Sequence, residues 1–289
     1  MEIRGAGKIA RAAAQALLDF VEALPEHDPN QFIDALTNAK EILHNTRPTA
    51  VSLTNALDFV MMGAKGETIE EIKTGVQNAA ERFITNSEKS LETIAGTCAK
   101  KIKENSTILT HCNSKAALQG IVKAHSQGKH LSVYATETRP WRQGLITAQE
   151  LADAGVKVTL IVDSATRFFM PDIDMVIIGA DTVTVEGTVI NKIGTSQVAL
   201  CAHEHCVPVI VCAESYKFSR ASLQGENVEI EERDITEVVE NNKLKGVNIR
   251  NPVFDATPAK YISAIITEFG TISPYSAYNI IQKIKKEMN

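Results

Sequence analysis

Cysteine and aspartate can pass a proton to and from carbon or a sugar oxygen, and one of each stands where an apolar run ends. They are Cys112 in Thr110-His111-Cys112-Asn113-Ser114-Lys115 and Asp181 in Gly179-Ala180-Asp181. A thiol between a strand-like run and a helix could lie near the helix N-terminus, where the dipole favours thiolate, and act as base or nucleophile. Position alone leaves a second reading equally open, that of a small buried cysteine, which also suits Cys201, Cys206 and Cys212. Asp181 follows Gly179 and Ala180, a pair small enough to let the backbone approach a ligand closely. If Asp181 is catalytic, nearby carbon and the thiolate would disfavour its ionisation and let it donate a proton. Otherwise it is a solvated turn aspartate, like Asp163 and Asp174.

Anion recognition has several candidate elements but no Walker A sequence. Arg4-Gly5-Ala6-Gly7 sets an arginine beside small residues just before a helix, where backbone amides and a guanidinium could clasp one phosphate. Arg47, Lys115, Arg139, Arg142, Lys192 and Lys217 add positive charge, although any one of them could be a surface cation. Two further segments, Glu137-Thr138-Arg139-Pro140 and Glu214-Ser215-Tyr216-Lys217, also follow apolar runs and would converge on the same rim.

The elements that must position these groups change character near residue 105. Over residues 8–102 the apolar side chains Ile9, Ala12, Ala13, Leu17, Phe20 and Val21 open a pattern of three- and four-residue steps that reads as helix throughout. Asp28 and Thr68 suit helix caps, and Pro29 suits the first helical position, where its missing amide hydrogen costs nothing. Beyond Ser106, short apolar runs at 107–110, 131–135, 158–162, 175–178, 207–212 and 262–267 alternate with helix-like stretches at 114–126, 147–154, 195–205 and 276–287. The expected fold class is α/β: a helical N-terminal domain of residues 1–105, followed by a Rossmann-like doubly wound parallel-sheet domain of residues 106–289. Its strands are expected to be buried on both faces, with ligands gathering at their carboxyl ends.

A chain of 289 residues, 44% hydrophobic and 22% charged, can bury a sizeable core, which excludes a disulfide-dependent miniprotein and argues against a disordered chain. Its formal charge of −5 offers no general attraction for nucleic acid or an anionic membrane, so any anion site must be built locally. Residues 1–10 lack the apolar core of a signal peptide, and no run approaches the roughly 20 apolar residues of a spanning helix. A soluble cytoplasmic protein is expected. Five cysteines without a CxxC spacing leave at least one thiol free and point to no metal site.

Taken together, Arg4-Gly5-Ala6-Gly7, Arg47-Pro48-Thr49-Ala50-Val51, Thr110-His111-Cys112-Asn113, Glu137-Thr138-Arg139-Pro140 with Gln143-Gly144, Gly179-Ala180-Asp181 and Asn191-Lys192-Ile193-Gly194-Thr195 resemble one superfamily. It comprises methylthioribose-1-phosphate isomerases, ribose-1,5-bisphosphate isomerases and the regulatory subunits of the eukaryotic translation-initiation guanine-nucleotide exchange factor. Cys112 matches the catalytic cysteine and Asp181 the catalytic aspartate of the isomerase branch, a pair that the exchange-factor branch generally lacks. Asn113-Ser114-Lys115 departs from the Asn-Thr-Gly usual in methylthioribose enzymes, and an added lysine suits an added anion. Glu214-Ser215-Tyr216-Lys217-Phe218 and the Arg4 to Gly7 start likewise resemble the bisphosphate branch.

The resemblance therefore implies conversion of ribose 1,5-bisphosphate to ribulose 1,5-bisphosphate, a step of the archaeal route from nucleoside monophosphates to a carbon-fixing carboxylase. It implies no metal or redox cofactor, AMP as an allosteric activator, and a homo-oligomer, either a dimer or a hexamer. By the same carry-over Arg4, Gly5, Ala6, Gly7, Arg47, Ser114, Lys115, Ala116, Asn191, Lys192 and Lys217 would bind the sugar and its two phosphates. The alternatives are a methylthioribose-1-phosphate isomerase, which needs an apolar pocket at the C5 end of the sugar, and a non-catalytic regulatory subunit.

Overall fold

Four helices account for the first hundred residues: α1 (Ala6–Ala23), α2 (Pro29–Asn45), α3 (Val51–Met61) and α4 (Ile69–Lys101). A computed structural model describes residues 5–25, 28–225, 228–239, 244 and 246–287. Asp28 caps α2 by accepting hydrogen bonds from the amides of Asn30 and Gln31, both at 3.0 Å, with Pro29 at the first position. Thr68 and Glu71 form a reciprocal capping box on α4. The facing stripes of these helices bury Leu17, Phe32, Leu36, Leu57, Ile72 and Val76 in one core.

The chain then alternates: β1 (Thr107–Thr110), α5 (Lys115–Ser126), β2 (Ser132–Thr136), α6 (Gln143–Asp153), β3 (Lys157–Ile161), α7 (Thr166–Phe169) and β4 (Met175–Gly179). After β5 (Thr182–Val183) and β6 (Val189–Lys192) come α8 (Thr195–Glu204), β7 (Val209–Cys212), β8 (Phe254–Thr257), β9 (Ala264–Thr267), β10 (Gly270–Ile272) and α9 (Ala277–Glu287). The main sheet runs β10-β9-β7-β4-β1-β2-β3 and is parallel except for β10. Its central strands are apolar on both faces because both are covered. Met175, Ile177, Ile210 and Cys212 pack with α5 and the end of α4, while Val176, Ile178, Val209 and Val211 pack toward α8 and α9.

Two expectations need correction. The run at 158–162 is not buried on both faces: β3 is the sheet edge, and the neighbouring Thr159 and Leu160, which point to opposite faces, are both exposed. The second, antiparallel sheet, β5-β6-β8, was not expected, since its two- to four-residue strands lack long apolar runs. Among the described residues no helix is long and apolar enough to cross a membrane.

Candidate active site

The segments after β1, β4 and β7 meet the small sheet and the start of α1 around one cavity of about 280 Å³. Gly5, Ala6, Gly7, Arg47, Cys112, Ser114, Lys115, Ala116, Asp181, Asn191, Lys192 and Lys217 all line it. Arg4 lies outside the described residues. Arg139 and Arg142 do not line the cavity. Arg139 donates to the carbonyl of Val238 at 3.0 Å, and Arg142 lies 4.0 Å from Glu137.

Cys112 has left-handed backbone geometry, φ 69°, which is costly for a residue with a Cβ and persists only where its surroundings enforce it. Its amide donates to Thr138 Oγ1 at 2.9 Å, and its carbonyl accepts from Thr147 Oγ1 at 2.7 Å. Both threonines are fully buried. Beneath them His111 Nε2 lies 2.9 Å from the Ile193 carbonyl, which can only accept, so this nitrogen carries the proton. Burial holds the imidazole below its ordinary range, so it is neutral and Nδ1 accepts from Thr136 Oγ1 at 2.6 Å.

Of the two readings left open for Cys112, its surroundings favour a protonated thiol in the free site. Burial pushes Cys112 up to about 11; the Lys192 ammonium pulls it down and the Asp181 charge adds to the rise. The reason is local: α5 begins at Lys115 with Ser114 as its cap, so Cys112 stands ahead of the helix and gains little from its dipole. Gly179 also has a role other than the expected one. A Cβ there would collide with the Ser114 side chain, so the missing side chain makes room for the α5 cap.

Two cationic groups flank this centre. Lys192, on β6 and buried, places its ammonium 4.9 Å from the Phe254 ring centroid, and Arg47 lies over the same ring at 5.6 Å. Burial lowers Lys192, against the opposing charges of Cys112 and Asp181. Arg47 and Arg233 grip the two oxygens of Glu231 at 3.0 and 2.7 Å. The second group is Lys217, paired with Glu214 at 2.7 Å with both side chains almost wholly buried. Burial alone would raise Glu214, but Lys217 and Tyr216 hold it below the ordinary carboxylate range. Tyr216 Oη donates to Glu214 at 2.9 Å and accepts from Ser87 Oγ at 3.0 Å. Ser87 in turn accepts from Arg11 at 3.0 Å. A Cβ on Gly7 would sit 2.9 Å from the Tyr216 hydroxyl, so only glycine lets α1 start this close.

Lys115 is at the exposed rim and paired with Glu150 at 2.8 Å, so its charge is partly spent. Asn191 is buried and donates to Thr195 Oγ1 at 2.9 Å. Arg11, Trp141, Arg233 and Phe254 also line the cavity and were not expected from the sequence. Arg233 and Phe254 lie in or beyond a polar stretch with no apolar run to mark it, and Arg11 reads as an ordinary helix-surface cation. Seven basic side chains against three acidic ones line the cavity, so it is locally cationic within a chain of net charge −5. The arrangement can hold a highly anionic small molecule against a thiol and a carboxyl group.

The sequence profile of the initiation factor 2 subunit family matches residues 2–274. A Methanocaldococcus jannaschii protein named ribose 1,5-bisphosphate isomerase is 50% identical over 284 residues, covering 98% of this chain and 91% of that protein. The crystal structure of Pyrococcus horikoshii translation initiation factor eIF-2B matches with a TM-score of 0.82 at 32% identity, over 95% of this chain and 93% of that one. The 5-methylthioribose 1-phosphate isomerase of the same organism also gives 0.82, at 31% identity, over 99% of this chain and 85% of that one.

Proposed function

The chain belongs to the initiation factor 2 subunit family, and from that premise we propose that it isomerises ribose 1,5-bisphosphate to ribulose 1,5-bisphosphate. The observation that carries this reading is the presence of Cys112 and Asp181 in one locally cationic cavity, a pairing with no use in a purely regulatory subunit. Two sets of basic side chains, Arg47 with Arg233 and Lys217 with Arg11 around Glu214, meet the need for two phosphates. A methylthioribose substrate would need an apolar wall where one of them stands. Arginine offers a planar fork to phosphate oxygens and lysine a compact charge, so the two groups hold their ligands differently.

The proposed reaction starts from the form of the site in which the proton is on Asp181 and Cys112 is the thiolate, and Asp181 gives that proton to the ring oxygen as the bond from that oxygen to C1 breaks. The Cys112 thiolate takes the proton from C2, and its electron pair forms the C1–C2 double bond of an enol phosphate. Cys112 then gives its proton to C1 while the C2 hydroxyl proton passes to Asp181, which leaves the ketose with both phosphates in place and both groups as they began. Lys192 favours the thiolate that burial disfavours, which makes it the electrostatic support of the base. No step calls on a cofactor.

Purified protein offered each sugar phosphate separately is expected to form ribulose 1,5-bisphosphate and to leave 5-methylthioribose 1-phosphate unchanged. Turnover of the methylthio sugar alone, or of neither, would overturn the proposal. Running the same assay with and without AMP tests activation by that nucleotide.

The turn that presents the sulfur yields a second expectation. Thr147→Val keeps the side-chain shape but removes the donor to the Cys112 carbonyl, so kcat should fall roughly ten- to a hundredfold with KM little changed. Wild-type kcat in this variant would mean that Thr138 alone holds the turn.

A further inference from the structure

A second cavity, of about 250 Å³, lies behind the Glu214–Lys217 pair, between α3 and α4 on one side and the β9–β10 hairpin and α9 on the other. Its walls are unusually aromatic for this chain, since Phe59, Phe83, Tyr216 and Phe269 all contribute although aromatic residues are 5% of the sequence. Phe83 is central, with ring centroids 5.7 Å from Phe59 and 5.4 Å from Tyr216. One carboxylate, Glu268, joins these rings. Its oxygens accept from the backbone amide of Ser215, at 3.0 and 3.2 Å, and among the described residues no basic side chain pairs with it. Burial raises its pKa, as befits a carboxyl group lacking a cation.

The faces of aromatic rings attract cations, and this protein already uses that attraction at the margins of the cavity. Arg82 lies over Phe59 at 4.8 Å and Lys283 over Phe269 at 5.0 Å. Both of these cations and Lys89 are solvent-exposed, so their charges are screened, whereas the half-buried Glu268 is screened less. Inside the cavity the one carboxylate therefore lies among aromatic side chains, with Lys89 the one basic residue on its wall among the described residues. We infer that this cavity binds a small organic cation, an amine or amidinium carried on a flat apolar body, with its charge on Glu268 and its body against Phe83, Tyr216 and Phe269.

This inference does not rest on the isomerase reading, because its test is binding and not turnover. Calorimetric titration of the whole chain with 2-phenylethylamine should give saturable binding. Its neutral counterpart 2-phenylethanol and the anionic 3-phenylpropanoate should bind at least roughly tenfold more weakly. Glu268→Gln should weaken the amine roughly tenfold and leave the alcohol unchanged. Phe83→Leu, in which the ring is replaced by an aliphatic side chain, should weaken the amine as well, with folding of both variants checked by their melting curves. The inference is overturned by no saturable amine binding, by equal affinity for amine and alcohol, or by a folded Glu268→Gln variant that binds the amine as wild type does.

Discussion

Cys112→Ser and Asp181→Asn are each expected to lower the turnover of ribose 1,5-bisphosphate by roughly 10²- to 10⁴-fold while leaving substrate affinity nearly unchanged. Both substitutions keep the size of the side chain, and the cations proposed to bind the phosphates lie elsewhere on the cavity wall. A variant retaining near-normal turnover would remove that residue from the chemistry. The pH dependence follows from the thiol. Its value of about 11, against an ordinary 9.0, means that the free site holds thiolate in only a small fraction at neutral pH. Alkylation of Cys112 by iodoacetamide, followed on its own peptide by mass spectrometry, should speed up roughly tenfold per pH unit from pH 7 to 10. It should level off near 11. A rate already flat at pH 8 would mean that the sulfur is ionised there. Lys192→Met should move the plateau higher, because the ammonium is the group that draws the thiol down. The same shift carries a stability cost at high pH. The unfolded chain gives up this proton near its ordinary value and the folded chain later, so stability contributed by Cys112 is complete below about pH 9 and is lost between there and 11.

Removal of Lys217 should have two separable consequences. Lys217→Met leaves Glu214 charged and buried without its partner, a loss on the order of 3–5 kcal/mol. In a chain of this size the melting temperature should fall by roughly 10 °C. Adding Glu214→Gln removes the stranded charge while keeping an oxygen for the Tyr216 hydroxyl, so the double variant should regain most of the lost stability. It should not regain affinity for the bisphosphate, since the cation is gone. Thermal melting and ligand titration on the same three proteins separate the two effects. Unchanged melting of Lys217→Met would show that the buried pair contributes nothing to the fold, and full bisphosphate affinity in the double variant would place Lys217 outside the phosphate site.

The elements that depend on near neighbours were legible in the sequence. Asp28, Pro29 and Thr68 mark helix starts because capping needs only residues two or three positions apart. The central strands β1, β4 and β7 show as apolar runs because each is covered on both faces. The edge position of β3 and the small β5-β6-β8 sheet were not legible, because pairing across 60 residues leaves no local periodicity. The site divides in the same way. Cys112 and Asp181 stand out at strand ends, whereas Arg11, Arg233 and Phe254 become cavity residues only when distant segments meet.

By itself, the sequence determined which helices and central strands form, the order of the segments that reach the cavity, and a candidate set of a thiol, a carboxyl group and cations. The tertiary structure alone decided the state of those groups: a thiol held up to about 11, a left-handed Cys112 between two buried threonines, and a Lys217 already committed to Glu214. The physical reason is that helix and strand formation depend on side-chain periodicity along the chain. Ionisation and pairing instead depend on burial and on nearby charges, and both are set by segments distant in sequence, as Lys192 and Asp181 are from Cys112 and as α4 is from the Tyr216 beside Glu214.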